Sequence, residues 1–99
     1  MDTVKKENRD NFRAWLISSK MMGEKSARDV LSRCGRVEKV IKVSLETAAQ
    51  TETGIQKVLD TLSTKSSSYL SPKTNAVYAV AVLKRAVRLY YEYKMLKKP

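Results

Sequence analysis

Histidine is absent from this 99-residue chain, and cysteine occurs once, at Cys34. Those shortages remove the imidazole base of the common catalytic triads and most donors of transition-metal sites. They also exclude an intrachain disulfide, which points to a reducing, intracellular setting. Long apolar runs are lacking as well. The longest stretch without charge is the ten residues between Lys73 and Lys84, short of the ~20 that span a bilayer. The opening MDTVKKENRDNF mixes charges and holds no apolar signal segment. There is no glycine-rich phosphate loop, no strand pattern of useful length and no internal repeat. What remains is one small soluble all-α domain, without catalytic residues or a cofactor, large enough to bury roughly 65% of its unfolded-chain surface.

Charge is what the chain has in excess. Twenty Lys and Arg stand against ten Asp and Glu, a net +10. By segment the net charge is +2 over residues 1–23, +3 over 24–43, −1 over 44–70 and +6 over 71–99. Any one of these cations is ordinarily just a solvated helix face. Two basic segments separated by a slightly acidic one fit better with a directed surface, whose natural complement is a phosphate backbone.

The helical pattern shows where that surface lies. Residues 1–7 read as a flexible arm. From Asn8 or Asp10, Phe12, Trp15 and Leu16 mark a short first helix to about Ser19, and Lys20 to Gly23 form a turn. A second helix is predicted over Glu24–Ile41, where Ala27, Val30, Leu31, Cys34, Val37, Val40 and Ile41 recur at three and four. Its opposite face carries Arg28, Ser32, Arg36 and Lys39, with Lys25 and Arg33 at the borders. Residues 43–53 connect, with Leu45 tucked under the bundle and short helical turns near Thr47 to Gln50.

Thr53-Gly54-Ile55-Gln56 has the form of a capping box opening a third helix that ends near Thr64, and Lys65 to Leu70 form a serine-rich loop in which Tyr69 and Leu70 staple the last helix. That last helix runs from Ser71, as cap, through Pro72 to Leu96. Apolar residues nearly surround its first half, Ala76 to Leu83, which predicts burial on several sides. In its second half Lys84, Arg85, Arg88 and Glu92 share one side, while Leu83, Val87, Tyr90 and Tyr91 pack inward. The architecture expected is a four-helix orthogonal bundle with a long C-terminal helix.

Candidates for chemistry reduce to packing or ion pairing. Cys34 sits on an apolar stripe and reads as core. Met21 and Met22 read as core filler, and Tyr78, Tyr90 and Tyr91 fall where bulk is needed. Glu38 with Glu46, and Asp29 with Glu24, have basic neighbours and read as ion-pair partners.

Phe12-Arg13-Ala14-Trp15-Leu16, then Gly23-Glu24-Lys25-Ser26-Ala27 opening a long helix, then Arg88-Leu89-Tyr90-Tyr91-Glu92-Tyr93 closing the last one, resemble the SAM-like core-binding domain of phage integrases and other tyrosine recombinases. The resemblance covers roughly residues 8–96 and departs from the family at Val30, where tyrosine is frequent. It implies a non-catalytic module that grips double-stranded DNA with its second and fourth helices, monomeric in isolation, cytoplasmic, and of bacterial or phage origin. The family's catalytic residues lie in a following domain, so the chain is either an excised amino-terminal module or a freestanding relative. By the same likeness Lys25 and Ser26 meet phosphates, and Arg28 follows one turn on. Lys73, Thr74 and Asn75 serve at the start of the last helix, with Lys84, Arg85 and Arg88 further along it. Arg33 and Arg36 complete the DNA-facing set on the second helix, and Asn75 is the best candidate for reading a base. The rival class is a helical adaptor docking an acidic protein. A peripheral membrane binder fits worse, because the apolar residues are committed to a core.

Overall fold

The computed structural model describes residues 6–65 and 76–96. Within them lie five helices: α1 (Lys6–Ser19), α2 (Glu24–Ile41), α3 (Leu45–Ala48), α4 (Glu52–Thr64) and α5 (Ala76–Leu96). There is no strand among the described residues, so the protein is all-α with a long C-terminal helix. Four principal helices and one single-turn helix make the bundle. α1 starts at Lys6, inside the stretch expected to be an arm, because a solvated first turn needs helix propensity rather than apolar periodicity.

α2 has the predicted bounds. Ala27, Val30, Cys34 and Val37 are buried on one stripe, and Lys42 ends the helix in the left-handed conformation with its N–H on the Glu38 carbonyl at 2.9 Å. The chain then turns directly into α3. Ser44 caps that turn by accepting from the Thr47 N–H at 3.3 Å, and the Glu38 carboxylate accepts from the Leu45 N–H at 2.8 Å. Leu45 is fully buried beneath the bundle, as expected.

The cap of α4 is Thr51, not Thr53. The Thr51 hydroxyl accepts from the Gly54 N–H at 2.9 Å, and Gly54 stands where a capping box would need Glu or Gln. Packing explains the choice. A Cβ on Gly54 would lie 2.4 Å from the Ala48 carbonyl oxygen, so α4 begins pressed against the end of α3. Ile55, Val58, Leu59 and Leu62 then face the core.

Between α1 and α2, Met21 adopts φ 56° and stands 87% exposed. It is a turn residue and not core filler: its left-handed backbone lets the Met22 N–H reach back to the Leu16 carbonyl at 3.2 Å. Met22 packs half-buried on the core.

α5 packs against α2, α4 and α1. Leu83, Ala86, Val87, Tyr90 and Tyr93 are its buried face, and Phe12 meets Tyr90 edge-on at 5.2 Å and Tyr93 at 5.1 Å. Trp15 joins them, 5.5 Å from the Tyr93 ring. The burial expected for the first half is met only in part: Val77 is 83% and Tyr78 68% exposed, Ala81 is exposed, and Ala79, Val80 and Val82 are half-buried, so Tyr78 is a surface residue and not core bulk. At 1.5 Å per residue α5 is about 31 Å long against about 20 Å for α4, so the longest helix outruns a neighbour and its full burial begins only at Leu83. The expected cap Ser71 with Pro72, and the loop with Tyr69 and Leu70, lie outside the described residues.

Candidate nucleic-acid interface

Because α2 buries one stripe, its outer side is left to Lys25, Arg28 and Arg36, all exposed; Ser26 is exposed in the first turn at the edge of the buried stripe, and Arg33 at the border is half-buried. On α5, Arg85 and Arg88 are exposed and Lys84 is half-buried beside the inward Leu83 and Val87. The two helices form the most extensive helix pair of the bundle. Midway along it the Cys34 thiol lies 3.5 Å from the Ala86 carbonyl oxygen. Arg33 is the chain neighbour of one contacting residue and Arg85 of the other, so the two basic segments share one packed pair. Lys73, Thr74 and Asn75 lie outside the described residues.

The first turn of α2 has a further property. Gly23 caps it with extended backbone (φ −69°, ψ 159°) and no side-chain hydrogen bond. The initial N–H groups of a helix are polarised donors, and negative charge is favoured beside them. Glu24 occupies that turn.

Other cations are engaged in holding the bundle. Lys20 pairs with Glu92 and stands 5.6 Å from the centre of the Trp15 ring, tying the end of α1 to α5. Lys94 reaches Glu46 at 3.9 Å. Glu24 and Glu46 are thus ion-pair partners as expected, and the Glu38 carboxylate also accepts from the α3 backbone.

Arg9 and Arg13 went unassigned in the sequence. They line, with Asp10, one wall of a cleft of about 530 Å³ between α1 and α2, and Arg28, Ser32 and Gly35 line the other. At its edge the Arg13 guanidinium approaches Glu24 Oε1 at 3.8 Å, and Arg28 approaches the same oxygen at 3.0 Å. The signal was available: Arg9, Phe12, Arg13 and Leu16 follow the i, i+3, i+4, i+7 spacing of one helix face, which puts the two arginines beside the buried residues and against α2.

Burial, then the nearby Glu38 charge, push the Cys34 thiol up to about 12, so it stays protonated and unreactive at neutral pH. The cavity beside it, between Phe12, Leu31 and Tyr90, measures about 50 Å³, room for water and not for a substrate. Among the described residues no group of three His, Cys, Asp or Glu could hold a metal ion, and no helix is long and apolar enough to cross a membrane.

Comparison with known protein families, with curated proteins and with solved structures finds no match.

Proposed function

We propose that this protein is a non-catalytic module for double-stranded DNA, gripping the phosphate backbone with the basic faces of α2 and α5. The observation that supports this best is the segregation of exposed charge. Lys25, Arg28 and Arg36 on α2, and Arg85 and Arg88 on α5, are exposed on two helices that pack together, while residues 44–70 carry a net −1. Guanidinium and ammonium groups held on rigid helices suit phosphate oxygens and carry little base selectivity. The motif likeness to recombinase core-binding domains agrees with this use and implies that cutting chemistry is supplied by a separate domain.

Fluorescence anisotropy with duplex DNA at a series of salt concentrations tests it. Neutralising about four to six phosphates should give a log–log salt dependence with a slope of roughly −4 to −5. Absence of binding at low salt would turn the assignment to an adaptor for an acidic protein.

A further inference from the structure

The cleft between α1 and α2 holds two arginines that already share an anion. Arg13 comes from α1 and Arg28 from α2, and both address Glu24 Oε1, at 3.8 and 3.0 Å. A guanidinium fork fits a carboxylate and a phosphate by the same geometry, so a seat that accepts one accepts the other. We infer that this cleft takes one phosphate group of the duplex backbone between Arg13 and Arg28, and that Glu24 is the internal anion which fills the seat when DNA is absent. The inference rests on the DNA-binding function proposed above and deepens it by naming a contact on α1.

Two features make Glu24 displaceable. Its side chain is 61% exposed, and those of Arg13 and Arg28 are 38% and 67% exposed, so both pairs are of the weak, solvent-screened kind. It is the first residue of α2, so its side chain can swing outward without moving the helix. The first turn of α2 has no side-chain cap, and its polarised N–H groups favour negative charge beside them with or without the Glu24 carboxylate. The volume of about 530 Å³ admits a phosphate with its sugar. Asp10, on the α1 wall, opposes any anion near it, which sets the seat at the Arg13 and Arg28 end of the cleft.

The test titrates duplex DNA against wild type, Glu24→Gln, Arg13→Gln, Arg28→Gln and the double arginine variant, with thermal melts as the folding control. Glu24→Gln should bind about three- to tenfold more tightly at low salt, since a competing charge has gone. Either arginine variant should bind more weakly. The double variant should be little worse than each single one, its salt slope shallower by about one unit, because both guanidiniums serve a single phosphate. Arg13→Lys keeps the charge and loses the fork, and should fall between wild type and Arg13→Gln. If wild type binds DNA and all these variants bind as it does, the cleft inference fails and the α2–α5 grip stands; if wild type does not bind DNA at all, both fail. Inorganic phosphate, followed through the Arg13 and Arg28 side-chain resonances, separates the remaining source: saturation by free phosphate at low concentration, with DNA binding unaffected by the variants, would make the cleft a small-anion site and overturn the inference.

Discussion

Where α1 meets the carboxyl half of α5 the space is filled by rings, and where α3 meets α4 it is closed by a missing side chain. Phe12, Trp15, Tyr90 and Tyr93 stand with centroids 5.1 to 6.4 Å apart, at interplanar angles from 20° to 84°. No single orientation is imposed there. At the other contact the Ala48 carbonyl comes so near Gly54 that a methyl group would have no room. Large rings supply much buried area and lose it when truncated. A backbone contact supplies little area and instead fixes which residue can stand there. The two regions therefore differ in the kind of substitution that breaks them.

The largest effect should come from the rings. Phe12→Ala should lower stability by about 3–5 kcal/mol, as truncation of a fully buried aromatic does. Urea unfolding followed by Trp15 fluorescence measures this, and a loss below about 1 kcal/mol would mean the neighbouring rings close the gap by themselves. Next comes a paired test on glycine. Gly54→Ala should cost on the order of 1–3 kcal/mol although alanine is the better helix former, because the opposing atom is backbone and cannot rotate aside. Gly35→Ala, where nothing lies within 4 Å of the new methyl, should raise stability by up to about 1 kcal/mol. Equal signs in the two melts would mean that the approach of Ala48 does not decide what residue can stand at position 54. The smallest change belongs to neither of them. Replacing Lys84, Arg85 and Arg88 together with Gln should alter stability by less than about 1 kcal/mol, while making the salt slope of DNA binding shallower by roughly 2 to 3 units. Unfolding of that variant would show the three cations to be structural, and unchanged DNA binding would move the grip off α5.

The ring contact was partly readable from the chain and the glycine contact was not. Phe12, Leu16, Val87 and Tyr90 fall on helical stripes, and a stripe is a property of one segment at a time. α2 has the predicted bounds for the same reason, with Gly23 before a periodic run and a left-handed Lys42 after it. Tyr93 belongs to the closing motif in sequence, and its three-residue spacing from Tyr90 also puts it on the buried stripe. The cap of α4 went to the wrong threonine because Thr51 and Thr53 are chemically equal. What separates them is the approach of Ala48, which belongs to another element. The exposed start of α5 has a similar cause, since apolar composition says that a helix could be covered and not how far its neighbours extend. In the candidate interface, the cations of α2 and α5 followed from periodicity. The convergence of Arg13 and Arg28 on Glu24 depends on how α1 lies against α2, which no single-segment pattern contains.

The burial of Cys34 also makes the protein easy to probe. Its thiol is 3% exposed and held protonated by its surroundings, so alkylating or dye-bearing reagents reach it only when the fold opens. An introduced surface cysteine, such as Tyr78→Cys on the exposed start of α5, would then be the one thiol that labels in the native protein. A fluorophore attached there, or a crosslinker to DNA, would report from a chosen position with the native cysteine left in place.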